Sequence, residues 1–183
     1  MSPLRNARYT AEDYWNLPES TRAELINGEL WNLASPNRAH QEIVYEFGRH
    51  LGDFIRSNGK SCKVYPAPFA VNLFGDESTF VEPDVSLVCD RAKLSDRGCE
   101  GAPDLVMEVV SPSSTSMDYL TKLALYREAG VREYWICDPI KRRVLVYAFE
   151  SDVVLSIYPF SAPVSSILLD GFEICFADII SRM

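Results

Sequence analysis

The residues best suited to chemistry in this sequence are carboxylates set where packing alone would not place them. Glu108 stands inside Leu105-Val-Met-Glu-Val-Val110, the strongest buried-strand signal in the chain. A carboxylate in such a strand costs on the order of several kcal/mol unless it is paired, metal-bound or at the strand's end. Asp84 follows Pro83 at the head of Val85-Ser-Leu-Val88, at a strand entrance. If these strands are neighbours in one sheet, Asp84 and Glu108 converge on one point. Two such hard-oxygen ligands, with a backbone carbonyl such as that of Val109, make a Mg²⁺ site. The ion would lower the pKa of bound water and neutralise charge building on a phosphate. The structural alternative is a Glu108 paired with an Arg or Lys, and an Asp84 that only caps.

Lys122 is the candidate cation. With Leu123 at the centre of the inner face of the following helix, and Tyr119, Leu120 and Tyr126 around it, Lys122 lies about 100° away. From there its stem can run along apolar surface and return the ammonium toward the Glu108 strand. The alternative is a solvated lysine, paired with Asp118 one turn earlier. His40 precedes Ile43 and Val44 by three and four residues. It reads first as a partly buried, hydrogen-bonded histidine and second as a proton relay or water-positioning group. His50 shows nothing comparable. Glu42 and Glu46 read as solvated helix residues, and Glu24 as either a hairpin residue or a third metal-site acid.

The elements that must position these groups follow from local signals. Thr10-Ala-Glu-Asp13 has the form of a capping box and opens a helix to about Leu17. Glu24–Leu33 predicts a hairpin around Asn27-Gly28, the pair a tight turn with two positive φ angles favours. Ile43, Val44, Phe47, Leu51, Phe54 and Ile55 form the apolar face of a helix from about Arg38 to Ser57, stopped by Asn58-Gly59. Val64–Leu73, with Pro66 and Pro68, predicts an irregular or edge strand. Val81–Cys89 is a strand interrupted by Pro83, and Asp90–Ala102 a loop. Ser111–Thr115 caps a helix from about Ser116 to Ala129 ahead of Gly130. Glu133–Cys137 is a strand, Val144–Phe149 and Val153–Tyr158 a hairpin, and Ile167–Ile180 a short strand around Gly171 and a last helical turn. Strands dominate, with two substantial helices: an α/β fold with a mixed β-sheet and helices on its faces.

Composition bounds the function. A chain of 183 residues, 47% hydrophobic, points to one domain with a sizeable core. No apolar run is long enough for a membrane span, and Met1–Tyr9 lacks the apolar stretch of a secretory signal. Five scattered cysteines without a CxxC suggest neither a disulfide frame nor zinc, so a reduced, cytoplasmic protein is expected. A net charge of −8 counts against a protein living on nonspecific DNA contacts, without excluding a local basic patch.

Three long runs carry a resemblance. Gly101-Ala-Pro-Asp-Leu-Val-Met-Glu-Val-Val-Ser-Pro-Ser-Ser114, Asp118-Tyr-Leu-Thr-Lys-Leu-Ala-Leu-Tyr126 and Gly130-Val-Arg-Glu-Tyr-Trp-Ile-Cys-Asp-Pro139 resemble the Uma family of restriction-endonuclease-like proteins, within the PD-(D/E)xK nuclease superfamily. Glu24–Leu30 and Ser35–Gln41 resemble the family's N-terminal segment, and Glu82-Pro-Asp-Val-Ser86 its first acidic motif, so the resemblance covers about residues 9–180. It implies a restriction-endonuclease-like mixed central β-sheet flanked by helices, with additional N-terminal and C-terminal β-hairpins. It also implies Mg²⁺-dependent hydrolysis of DNA phosphodiesters, with Mn²⁺ as a substitute. Asp84 and Glu108 would hold the metal. The superfamily's strand lysine is replaced by Val110, and Lys122 is the matching helix-borne candidate for orienting water or stabilising charge. His40 matches a family position near the site. Many nucleases of this type are dimers, so a homodimer is expected. The alternatives are an inactive or repurposed binding or assembly module and a small phosphoester hydrolase.

Overall fold

In the computed structural model the residues described are 8–112, 114–152 and 154–181. The segment before Arg8, Ser113 of the expected cap and Val153 of the expected hairpin lie outside the described residues. The chain opens with α1 (Ala11–Trp15), whose Thr10 and Asp13 form the expected capping box. A hairpin follows, β1 (Ala23–Ile26) and β2 (Glu29–Asn32), turning through Asn27 at φ 52° and Gly28 at φ 79°. Positive φ at both positions is what the Asn-Gly pair is there to supply.

The long helix α2 (Arg38–Ser57) has the expected bounds and buries Ile43, Val44, Phe47, Leu51 and Ile55 along one face. Where one irregular strand is expected over Val64–Leu73, the chain makes two strands in different sheets, β3 (Lys63–Pro66) and β4 (Val71–Asn72). Next come β5 (Phe80–Val81) and β6 (Val85–Val88), split at Pro83. The expected loop at 90–102 holds a short 3₁₀ turn and a small hairpin, β7 (Leu94–Ser95) and β8 (Gly98–Glu100). Strands of two or three residues are too short for a periodic pattern to reveal.

The remaining elements are β9 (Leu105–Val109), α3 (Lys122–Ala129), β10 (Glu133–Asp138), β11 (Arg143–Ala148), β12 (Leu155–Pro159), β13 (Pro163–Ser165), β14 (Glu173–Cys175) and α4 (Phe176–Ile180). At the end of the chain the expected strand around Gly171 becomes the pair β13–β14, with Gly171 in the turn at φ 82°.

The central sheet runs β12-β11-β10-β9-β6-β3 and is mixed, parallel between β9 and β10 and antiparallel elsewhere. A second six-stranded sheet, β2-β1-β5-β4-β8-β7, includes the N-terminal hairpin. Alternation along β9 sorts its residues between two cores. Leu105, Met107 and Val109 join the core made with α2 and α4, while Val106 and Val110 join the core made with α3 and the second sheet. By the same period of two, Glu108 faces α3 and the second sheet.

The cysteine expectation fails at one pair: Cys62 and Cys89 are joined by a disulfide, and Cys99, Cys137 and Cys175 are free. The cause is register. Lys63 pairs with Val88 across the antiparallel β3–β6 ladder, which brings the flanking Cys62 and Cys89 opposite each other although 27 residues separate them. No helix among the described residues is long and apolar enough to cross a membrane.

Candidate active site

Sheet register brings the two acids together. Val85 lies opposite Met107 in the antiparallel β6–β9 pair, so Asp84, one residue earlier, falls opposite Glu108, one residue later. The backbone then ties them. Val109 N–H donates to Asp84 Oδ2 at 2.7 Å, and Asp84 N–H points to Glu108 Oε2 at 3.4 Å. Here the amide of Val109, whose carbonyl is the expected ligand, serves to fix Asp84. His40, in the first turn of α2, places Nε2 3.1 Å from the same Asp84 oxygen, and its buried Nδ1 has no hydrogen-bond partner among the described residues.

Lys122 is not a solvated lysine. It is 3% exposed, with Nζ 2.8 Å from Glu108 Oε1 and 2.9 Å from Glu24 Oε1. It therefore bridges the central sheet and β1 of the second sheet, and Glu24 is a buried partner of the lysine. Tyr126, one turn further along α3, donates its hydroxyl to Glu108 Oε1 at 2.6 Å. Asp118 takes the Ser114 hydroxyl at 2.5 Å instead of forming the alternative ion pair with Lys122.

The inner face of this helix is also not centred on Leu123. Leu120 is 69% exposed, and the buried set is Met117, Asp118, Lys122, Leu125 and Tyr126. Residues Met117–Thr121 form a π-helical turn, closed by Lys122 N–H donating to Met117 O. A π turn holds one residue more than an α turn of the same span, so a uniform helical wheel runs out of phase across it. Asp118, Lys122 and Tyr126, spaced by four, are the residues turned inward.

Electrostatically the site has too few cations for its carboxylates. Burial works against the charge on Lys122, but Glu108 and Glu24 outweigh it and hold the ammonium charged well above its ordinary range. Glu108 is pushed well above the carboxylate range, first by burial and then by Asp84, Asp118 and Glu24, against the pull of Lys122. Asp118 rises to about 6, mainly by burial, opposed by Lys122 and the Ser114 hydrogen bond. Burial, with Glu108 beside it, also pushes the Tyr126 hydroxyl well up. Glu24 Oε2 is a buried carboxylate oxygen without a hydrogen-bond partner among the described residues.

A cleft of about 490 Å³ exposes this group; His40, Asp84, Glu108, Asp118 and Lys122 line it. Arg22 and Glu82 stand at its rim as an ion pair at 2.7 Å. Among the described residues no group of three or more His, Cys, Asp or Glu is arranged to hold a metal ion. What the cleft offers is two adjacent carboxylates, a donor set suited to an ion that keeps several waters, as Mg²⁺ does. All four groups singled out in the sequence, Asp84, Glu108, Lys122 and His40, come together. Sequence reasoning left Tyr126 and Asp118 without a role in the site, although their spacing of four about Lys122 was a readable signal.

Known proteins agree with this architecture. One similar solved structure is described as a "putative nuclease belonging to DUF820" from Anabaena variabilis; it superposes with a TM-score of 0.75 over 94% of this chain and 97% of that one, at 20% identity, which shows a shared fold. An uncharacterized protein of Synechocystis sp., slr1290, is 22% identical over 121 residues, 65% of this chain. The aligned segment covers 62% of that relative, less than two thirds of its length. Residues 11–177 match the Uma2 family, whose description is "Putative restriction endonuclease", and with nearly the whole chain matched, the protein belongs to the Uma2 family.

Proposed function

We propose that the chain is a divalent-metal-dependent nuclease that hydrolyses phosphodiester bonds of DNA, with Mg²⁺, or Mn²⁺ in its place, held by Asp84 and Glu108. The observation that carries this reading is the meeting of Asp84 and Glu108 across β6 and β9, with Lys122 on a Glu108 oxygen and His40 on an Asp84 oxygen. When bound, the metal supplies an acidified water and neutralises charge on the phosphate. The chain's own residues prepare the ligands. Lys122 and Tyr126 hold Oε1 of Glu108, and Val109 N–H and His40 hold Oδ2 of Asp84. Each carboxylate is thus fixed mainly through one oxygen; Asp84 Oδ1, and Glu108 Oε2 with its long 3.4 Å contact from Asp84 N–H, would be the oxygens to face a cation. Of the three N–H bonds of Lys122, two go to Glu108 and Glu24; the third is available to a water or to a phosphoryl oxygen gaining charge. His40 orients Asp84 from the wall of the cleft.

A homodimer belongs to the same proposal, with Leu155 and Ile157 exposed on the edge strand β12 as the apolar surface available to a second copy. A second reading, a nuclease fold kept as a binding or assembly module, is favoured by the −8 net charge. Calorimetric titration with Mg²⁺ and Mn²⁺, and plasmid nicking on the same samples, separate the two. The nuclease reading expects wild type to bind metal and nick, and Asp84→Asn and Glu108→Gln to lose both. Wild type that neither binds metal nor nicks sinks it in favour of the module.

A further inference from the structure

A second and larger concavity, about 850 Å³, runs between α2 and the edge strand β3. Gln41 and Ala67 line both it and the carboxylate cleft, so the two adjoin. Its charge is opposite to that of the chain as a whole. Arg49, Arg56, Lys60 and Lys63 line it and no Asp or Glu does, in a protein of net charge −8. Arg49 is partnered by Glu46 and Asp53, and Arg56 by Asp53, all from α2 itself. Lys60 and Lys63 form no ion pair among the described residues, which leaves their charge uncompensated. Gly48, Gly52 and Gly59 keep the walls low, and Tyr45, 65% exposed, stands at the lip.

We propose that this groove holds the sugar–phosphate backbone of a single polynucleotide strand and leads it into the carboxylate cleft, with Lys60 and Lys63 on phosphates and Tyr45 as a stacking platform for a base. Uncompensated cations beside an exposed aromatic are the combination that binds single strands without reading sequence. The length fits. From Gln41 to Arg56 the helix rises about 22 Å, the run of about six nucleotides at about 3.4 Å per strand step. The groove also answers the objection from net charge: a local cationic track supplies phosphate attraction that the whole chain lacks. The proposal rests on the nuclease reading, which provides the scissile strand, but it concerns binding and is tested apart from cleavage.

The test is fluorescence anisotropy of a labelled 20-nucleotide single-stranded DNA without divalent ions, titrated with salt. The proteins are wild type, Lys60→Gln/Lys63→Gln and Tyr45→Ala, with thermal melting of each as a folding control. Wild type should bind, and its affinity should fall steeply as salt rises. The double lysine variant should have a slope shallower by about 1.4, at about 0.7 for each phosphate that is no longer neutralised. Tyr45→Ala should bind about 5- to 150-fold more weakly at an unchanged slope. Wild-type affinity and slope in both groove variants would overturn the groove. So would a change of oligomeric state in the lysine variant, by light scattering, with DNA binding intact, because the groove would then seat a second copy. Nicking assays on the same proteins with Mg²⁺ keep the two ideas apart. Wild type that nicks while the groove variants bind and nick equally well defeats only the groove. Wild type that binds through the groove but never nicks defeats only the nuclease reading.

Discussion

Lys122→Met is the sharpest perturbation of the site. In wild type one ammonium serves two carboxylates, Glu24 at 0% and Glu108 at 3% exposure. Methionine has a similar shape without charge, so the substitution strands both buried acids without a cation. Removing one partner of a buried pair costs about 3–5 kcal/mol. With a urea m-value of roughly 2 kcal/mol/M, the unfolding midpoint should fall by about 2 M near pH 8, read by tryptophan fluorescence. The loss should shrink toward pH 5. Glu108 has a folded-state pKa raised above its unfolded value by burial, so it takes up a proton as pH falls, and its penalty is present only above that range. Adding Glu24→Gln and Glu108→Gln should restore most of the stability, because replacing a whole buried ionic group costs far less than breaking it. A loss below about 1 kcal/mol that does not vary with pH would refute the reasoning, since it would mean that Lys122 is solvated and the acids have other partners.

Two further outcomes test neighbouring parts of the structure. The Asp118 carboxyl, raised from 3.8 to about 6, favours the folded state only while protonated, so wild-type stability should fall by about 3 kcal/mol as pH rises through about 4 to 6. Asp118→Asn should flatten that window and gain about 1–3 kcal/mol at pH 7.5, less the cost of any unpaired amide N–H; an unchanged pH profile would show that another group carries it. Thiol titration in denaturant should find three reactive cysteines before reduction and five after, whereas five at the outset would remove the Cys62–Cys89 bond.

What the sequence disclosed and what it hid divide along the range of the interactions. Glu108 was legible because a carboxylate in an apolar strand breaks a local pattern, and Asp84 because Pro83 marks a strand entrance. The bounds of α2 and the Asn27-Gly28 turn follow from signals within a few residues. The pairing of Glu24 with Lys122 was not legible, because it depends on the second sheet packing over α3, between residues nearly a hundred apart in sequence. The facing of α3 was misread for a local reason: a wheel drawn at 100° per residue cannot show a π turn. Cys62 and Cys89 meet through strand register, which sequence spacing does not reveal.

The position of the cation has a physical consequence. Val110 shares with Glu108 the face of β9 that looks toward α3, so a lysine at 110 would have stood on the same face through strand geometry alone. Here Val110 is buried in the apolar core beside Met117 and Tyr126, and the ammonium arrives instead from α3. A strand lysine is aimed by its own backbone, whereas Lys122 is aimed by the π turn that rotates it inward and by Glu24, which draws it down from the second sheet. The charge at the site and the docking of the second sheet on α3 are therefore one interaction. Glu24→Gln should weaken both together, and a substitution at Glu24, outside the Asp84–Glu108 pair, should be felt in the orientation of Glu108.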